Sequence, residues 1–275
     1  CRHVILTVHI KISLQKRIIL LKITSIMKIL ITGASKGIGL QIAKELAERG
    51  YELVLHCNST EEALLAFVQE NKNKNHIVKA DLSTVVGAVD LFNQTCKAIG
   101  FPDSIINNAG VADSSPIEKD IKEWSADFDK TISVNLRSPA IICKEFILKK
   151  RTEKISKRLR IINIASRAAF RGEVEDFISY ACSKGGIVSL TKTITRSFGL
   201  NENVLAFSIA PGFVNTEMAK SFIEKNGEDL VKKGIRLDRL TEPKDISPLV
   251  ELIVSGKMDH STGSTIDVNA GSYLR

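Results

Sequence analysis

Short apolar runs alternate with longer amphipathic segments along residues 27–275. The apolar runs are rich in valine, isoleucine and leucine, which is typical of strands buried on both faces of a parallel sheet. They predict strands at Lys28–Thr32, Glu52–His56, His76–Lys79, Ser104–Asn107, Arg160–Ala165, Asn203–Ile209 and Ser264–Val268. The segments between them predict helices at Ile38–Arg49, Thr60–Asn71, Thr84–Ile99, Ile132–Lys150, Ile178–Phe198 and Pro243–Val254.

Repeated strand–helix alternation predicts an α/β fold. Right-handed crossovers then give a Rossmann-like, doubly wound parallel sheet of about seven strands with helices on both faces. No Pro/Gly/Ser-rich linker interrupts residues 27–275, so we expect a single domain. The charged stretch Glu217–Asp238 is helical in pattern and lies between strands, where a lid over a site is expected.

Residues 1–26 differ from the rest of the chain. They contain five basic residues and no acidic one, and their longest apolar run, Ile18 to Leu21, is too short to span a bilayer. No signal-peptide pattern is visible, and the sequence from Met27 resembles a natural protein start. We expect residues 1–26 to be an extension outside the fold with no part in the chemistry; the alternative is a peripheral membrane-binding or edge-strand element.

The net charge of +8 changes the picture little, because residues 1–26 account for five of those charges. The mixed-sign remainder gives no electrostatic reason to bind nucleic acid. Five cysteines without a CxxC pair indicate reduced thiols and a cytoplasmic protein, and the scattered histidines predict no metal site.

A glycine-rich segment, TGASKGIG at residues 32–39, follows the first strand and opens a helix. Its glycines permit a tight turn, and the helix N-terminus favours a pyrophosphate, so the segment predicts a dinucleotide site; the alternative is a merely structural turn. The second strand ends at Asn58 without the carboxylate that would bind the ribose of NAD, and Lys36 adds positive charge. We therefore expect NADP(H), with NAD(H) also possible if Lys36 is only a solvated loop residue.

Three residues suggest proton-transfer chemistry. Tyr180 and Lys184 are four apart and share one helix face, where an ammonium is expected to lower the pKa of the phenol. Ser166 ends a strand, so its hydroxyl lies at the sheet edge where sites form. The alternatives are a surface Tyr–Lys pair and a serine that caps a helix.

Six motifs in order resemble the short-chain dehydrogenases/reductases over residues 27–275. They are TGASKGIG (32–39), NNAG (107–110), VN (134–135), Ser166, YACSK (180–184) and PGFVNTEM (211–218). The stretch Ile266–Tyr273 and the loop Arg239–Asp245 look like the bacterial 3-oxoacyl-acyl-carrier-protein reductase branch.

The resemblance implies a role for each catalytic residue. Tyr180 would protonate the carbonyl oxygen, and Lys184 would lower its pKa and bond the nicotinamide ribose. Ser166 would orient and polarise the carbonyl, and Asn135 would hold a water in a proton relay behind Lys184.

It also implies the cofactor contacts. These are Gly33, Ser35, Lys36, Ile38, Gly39, Asn58, Asp81, Leu82, Asn108, Ala109, Gly110, Tyr180, Lys184, Pro211, Gly212, Val214 and Thr216. Asp81 would contact the adenine, although it could instead cap the following helix. Asn107 is expected to support the sheet.

The function implied is NADPH-dependent reduction of a ketone, most simply a 3-oxoacyl thioester. Two alternatives remain: a dehydrogenase of a sugar, steroid or other secondary alcohol, and a non-catalytic NADP-binding regulator. The basic stretch 149–160 would receive an acyl carrier protein or be a solvated connection, and Asn201 replaces a second arginine that is common in that branch. The family also implies a homotetramer.

Overall fold

Seven parallel strands form one sheet in the computed structural model, which describes residues 26–59, 62–71, 75–227, 232 and 234–275. The strands are β1 (Lys28–Ile31), β2 (Glu52–Cys57), β3 (Asn75–Lys79), β4 (Ser104–Asn107), β5 (Leu159–Ile164), β6 (Val204–Pro211) and β7 (Thr265–Val268). Their order across the sheet is β3-β2-β1-β4-β5-β6-β7. The predicted doubly wound α/β fold is confirmed, and the sheet order reverses between β1 and β4.

Helices cover both faces of this sheet. They are α1 (Gly37–Glu48), α2 (Glu62–Glu70), α3 (Val85–Ile99), α4 (Ile121–Ile132), α5 (Ser138–Thr152), α6 (Ala168–Arg171), α7 (Ile178–Glu202), α8 (Glu217–Asn226) and α9 (Ser247–Val254). Successive strand residues point to opposite faces, so Ile29 and Ile31 pack with α1, α2 and α9, whereas Leu30 packs with α3, α5 and α7. Two apolar cores thus hold the sheet between two helical layers.

The helix predicted to begin at Ile132 begins earlier. Helix α4 leads into a π-helical turn at Ser133–Arg137, which leads directly into α5. The apolar residues of α4, Ile121, Trp124, Phe128 and Ile132, recur at helical spacing, so the pattern of a helix is present in the sequence although only Thr131 of α4 is buried. Its start also carries a signal, because the Asp120 carboxylate accepts hydrogen bonds from the first-turn amides.

Strand β6 also departs from the predicted bounds. Asn203, predicted as its first residue, has a φ of +55° and ends α7, because asparagine tolerates the left-handed conformation of a helix C-terminus. The strand instead continues to Pro211, whose carbonyl accepts a hydrogen bond from the backbone amide of Arg167.

Two predicted segments are covered only in part. Of the expected lid at Glu217–Asp238, α8 occupies the first ten residues, and residues 228–231 and 233 lie outside the described residues. Residues 1–25 of the expected extension also lie outside them. Within the ranges given above, no helix is long and apolar enough to cross a bilayer.

The basic stretch 149–160 is largely neutralised by acidic partners. Its ion pairs are Lys149–Glu153, Arg151–Glu202, Lys157–Asp103, Arg158–Asp259 and Arg160–Asp259. Lys150 is only 4% exposed, and its ammonium donates hydrogen bonds to the backbone carbonyls of Ile155 and Lys157. These ion pairs join the stretch to the end of α7, to the residue before β4 and to Asp259, and Lys150 bonds to the turn between α5 and β5.

Lys150→Met should lower the free energy of unfolding by about 1–3 kcal/mol, because the turn between α5 and β5 loses two hydrogen bonds from a buried ammonium. Urea denaturation measures the change. Lys144→Met, at an exposed lysine on the same helix, should stay within about 0.5 kcal/mol of the wild type. Equal stability of the two variants would contradict the role given to the Lys150 ammonium.

Candidate active site

Side-chain hydrogen bonds join β1 to β4 at the point where the sheet order reverses. The Asn108 amide nitrogen donates to the carbonyls of Thr32 and Gly33 at 3.0 and 2.9 Å. The Thr32 hydroxyl accepts from the backbone amides of Asn108 and Ala109 at 2.9 and 3.0 Å. We call this set the Thr32–Asn108 clasp. It fixes the edge of the sheet at which ligands bind in open α/β folds.

The glycine loop, residues 33–39, leaves no space for side chains at two positions. A Cβ at Gly33, which has a φ of +63°, would lie 2.8 Å from the Cα of Ala109. A Cβ at Gly39 would lie 2.1 Å from the Gly33 carbonyl oxygen. Gly33 therefore packs directly against the NNAG segment, and α1 starts immediately beside it.

The start of α1 is suited to an anion. No side chain caps this helix and its first turn holds no acidic residue, so first-turn N–H groups and the helix dipole face the loop. The phosphates of a dinucleotide fit this chemistry. Ser35 and Ile38 are half-buried beside it, in the predicted positions.

His56, a residue that the sequence reasoning did not select, supports the same loop. Its Nδ1 accepts a hydrogen bond from the Gly33 amide at 3.0 Å, and its Nε2 lies 3.0 Å from the Ala80 carbonyl. His56 is 2% exposed. Burial lowers the pKa of its ring, and the hydrogen bond to the Ala80 carbonyl offsets only part of this lowering. The neutral ring therefore bonds at both nitrogens.

The predicted adenine contacts lie at the ends of β2 and β3. Asn58 is exposed, Leu82 is buried, and the exposed Asp81 carboxylate accepts from the Ser83 amide, whose hydrogen bonds lower the Asp81 pKa. The alternative that Asp81 caps the next helix is wrong, because the Thr84 hydroxyl caps α3. The Asp81 carboxylate thus stays at the surface of the candidate cleft.

The Lys36 side chain forms an ion pair across the glycine loop. Its ammonium lies 3.2 Å from the Glu217 carboxylate at the start of α8, and both side chains are about two-thirds exposed. An exposed pair of this kind contributes about 0–1 kcal/mol. A bound phosphate can therefore compete for Lys36.

The structure brings Ser166, Tyr180 and Lys184 together. The Tyr180 phenol lies close enough to Ser166 for the serine hydroxyl to lower the Tyr180 pKa, and the Lys184 ammonium lies 5.7 Å from the Tyr180 ring centroid. The Ser166 hydroxyl also accepts a hydrogen bond from the backbone amide of Ala168, the first residue of α6, at 3.1 Å.

The Tyr180 pKa is raised in this structure, not lowered as expected. Burial raises the Tyr180 pKa, against the lowering effects of the Ser166 hydroxyl and the Arg167 charge. Burial also lowers the pKa of Lys184 to about 8, and its ammonium donates to the Ile164 carbonyl at 2.9 Å. The phenol is thus protonated at neutral pH and available as a proton donor.

Asn135 is placed in the π-helical turn between α4 and α5. Its side chain accepts from the Val111 amide and donates to the Val111 carbonyl, both at 2.8 Å, and donates to the Ser183 hydroxyl at 3.1 Å. Ser183 in turn donates to the Tyr180 carbonyl at 2.7 Å. The Asn135 side chain thus links the NNAG segment to α7.

The remaining predicted contacts close the cleft from the side of β6. Pro211 ends β6, and a Cβ at Gly212 would lie 2.8 Å from the Cα of Asn269. Val214 is buried, and the Thr216 methyl would lie 3.3 Å from a Cβ at Gly37. The segment after β6 therefore contacts the glycine loop.

Two more predicted residues lie between these groups. A Cβ at Gly110 would lie 3.3 Å from the Asn135 oxygen and 3.5 Å from the Lys184 nitrogen. Asn107 supports the sheet as expected, because its amide donates to the Asn163 side chain at 2.8 Å. A side chain at position 110 would therefore press on the Asn135 amide beside Lys184.

Comparisons with known proteins give matches over most of the chain. The family model for short chain dehydrogenase matches residues 27–227. The 3-oxoacyl-[acyl-carrier-protein] reductase FabG of Rickettsia prowazekii is 31% identical over 89% of this chain and 96% of its own, and that of Staphylococcus epidermidis is 29% identical over 89% and 98%.

Two solved structures are also similar. A 4-hydroxyisoleucine dehydrogenase complexed with NADH superposes with a TM-score of 0.80 at 28% identity, over 90% of this chain and 98% of that one. A blue fluorescent protein from a metagenomic library, in complex with NADPH, has a TM-score of 0.79 at 25% identity over the same shares. Both neighbours therefore hold a nicotinamide dinucleotide.

Gly39→Ala should weaken NADPH binding by about tenfold or more, because the added methyl meets the Gly33 carbonyl and the loop must open. Fluorescence titration with NADPH measures the dissociation constant. Gly199→Ala is the control, since a Cβ there has its nearest contact at 3.9 Å. Wild-type affinity in Gly39→Ala would contradict the assignment of the loop.

Proposed function

Since the chain belongs to the short-chain dehydrogenase family, we propose that it reduces a ketone to a secondary alcohol with NADPH. The family, its curated relatives and its structural neighbours make it an NAD(P)-dependent oxidoreductase. The observation that carries the finer proposal is the proximity of the Ser166 hydroxyl to the Tyr180 phenol, with the buried Lys184 beside the ring. A non-catalytic regulator has no need for this arrangement.

The residues of this chain divide the reaction between them. Ser166 orients the carbonyl and polarises it, and the Tyr180 phenol donates a proton to its oxygen. Lys184 stabilises the phenolate left behind, and Asn135 positions α7 through Ser183. The cofactor supplies the hydride when bound, and residues 33–39, 108–110 and 211–216 line its site.

Preference for NADP(H) over NAD(H) rests on charge. β2 is followed by Asn58 and not by a carboxylate, which would repel a 2′-phosphate. Lys36 is exposed at the loop and held only by a solvent-exposed pair with Glu217. The structural neighbours include complexes with NADH and with NADPH, so we keep NAD(H) as a weaker cofactor.

The first candidate substrate is a 3-oxoacyl thioester, because the curated relatives are 3-oxoacyl-[acyl-carrier-protein] reductases. The ion pairs of the basic stretch 149–160 favour a thioester that needs no carrier docking there. The second candidate is a secondary-alcohol dehydrogenase, favoured by the 4-hydroxyisoleucine dehydrogenase neighbour. We also propose that residues 27–275 act as a cytoplasmic homotetramer and that residues 1–26 take no part in the chemistry.

A substrate panel tests this function. Loss of NADPH absorbance is followed with acetoacetyl thioesters, sugars, steroids and simple ketones, and NADH is run alongside. We expect the highest kcat/KM with an acetoacetyl thioester and NADPH. Tight NADPH binding without turnover of any carbonyl would contradict the proposal and favour a regulator.

Tyr180→Phe should lower kcat by roughly 10²–10⁴, because the proton donor is lost while the ring still packs. The dissociation constant for NADPH should stay within about twofold, since the loop is unchanged. Steady-state kinetics and NADPH titration check the two parts. Wild-type turnover in this variant would show that Tyr180 is not the acid.

For the reduction, kcat/KM should fall as the pH rises above about 8. The reason is that Lys184 deprotonates there in the free enzyme and no longer stabilises the phenolate. The sign follows from burial, which disfavours the charged amine and brings its pKa down. Lys184→Arg keeps the charge at all relevant pH values, so its pH–rate profile should lack this limb. An unchanged limb in Lys184→Arg would assign it to another group.

A further inference from the structure

We propose that His56 is a positioning residue for the cofactor, because its ring holds the Gly33 peptide in the orientation that a bound dinucleotide requires. The inference rests on the proposed function, since it assumes that the glycine loop binds NADPH. It assigns a cofactor-affinity role to a side chain on β2 that lies outside every motif described above.

Hydrogen bonds connect His56 to two neighbouring segments. Its Nδ1 accepts from the Gly33 amide at 3.0 Å, its Nε2 donates to the Ala80 carbonyl at 3.0 Å, and its backbone carbonyl accepts from the Ala34 amide at 2.8 Å. Gly33 and Ala34 start the glycine loop, and Ala80 follows β3. His56 thus ties the phosphate end of the cleft to its adenine end.

Both backbone polar groups of Gly33 are held by side chains. His56 binds its N–H from β2, and Asn108 binds its carbonyl from β4 at 2.9 Å. Gly33 also has a φ of +63° and packs against Ala109, so it cannot rotate without opening the loop. The direction of the residues that follow Gly33, and of the α1 amides, therefore depends on these two bonds.

The ring does more than fill space. An aliphatic side chain of similar size would fill the core at the end of β2, yet a 2%-exposed imidazole is present with both nitrogens bonded. Only the neutral form with the proton on Nε2 satisfies both contacts, because Gly33 needs an acceptor and Ala80 a donor. Removing the acceptor leaves the Gly33 amide without its partner.

Substitution of His56 by asparagine or by glutamine distinguishes the two hydrogen bonds of the ring. In His56→Asn, the side-chain oxygen occupies the place of Nδ1 and can still accept from Gly33. In His56→Gln, the amide reaches the place of Nε2 and can donate to Ala80, but the acceptor for Gly33 is lost. His56→Leu removes both.

Isothermal titration of the full chain with NADPH, together with steady-state kinetics, tests the assignment. We expect His56→Gln and His56→Leu to bind NADPH about tenfold more weakly, with KM for NADPH raised and kcat within about twofold. His56→Asn should stay within about threefold of the wild-type affinity. His76→Gln is the matched control, because His76 is a half-exposed residue of β3 whose ionic contact is with Glu52.

Equal NADPH affinity of the Asn and Gln variants, or of the Asn and Leu variants if Gln does not fold, would overturn the role of His56. A fall in kcat without a change in KM would overturn it as well. Failure of the wild type itself to bind NADPH would instead refute the proposed function, so the two failures are distinguishable.

Discussion

The Thr32–Asn108 clasp is the interaction on which the site depends. It joins the ends of β1 and β4, the two strands between which the sheet order reverses. Crossovers leave these strands in opposite directions, so the edge between them is open to a ligand. The glycine loop follows one strand and the NNAG segment the other, and the clasp sets the distance between them. Every other functional side chain is arranged relative to this crevice.

Backbone groups hold the catalytic side chains in place as much as contacts among those side chains do. The Lys184 ammonium is anchored on the Ile164 carbonyl of β5, and the π-helical turn aims Asn135 at both Val111 and Ser183. π-helical turns of this kind often occur at functional sites, because the extra residue redirects a side chain. Burial of Tyr180 and Lys184 shifts both pKa values toward the neutral forms, which suits a phenol that must begin as an acid.

The sequence determined the strands well because each is a short valine- and isoleucine-rich run bounded by polar residues. The motif residues also lie at the edge of the sheet where a parallel topology predicts them. Helix α4 has an apolar stripe that a sequence-based prediction can use, whereas the π-helical turn has no sequence signature. The side-chain partners of Asn135, Val111 and Ser183, come from distant segments and cannot be deduced from the sequence. The contacts of His56 with Gly33 and Ala80 likewise appear only when three strands are assembled.

Hydride transfer to a carbonyl carbon is the reaction that we propose for this crevice. The most direct measurement uses NADPH in which both hydrogens on C4 of the nicotinamide are replaced by deuterium. Acetoacetyl-CoA is reduced with this NADPH, and the product is analysed by NMR. The account predicts deuterium on the carbinol carbon of the 3-hydroxyacyl thioester. A 3-hydroxyacyl product without deuterium at that carbon, or no reduced product, would contradict it.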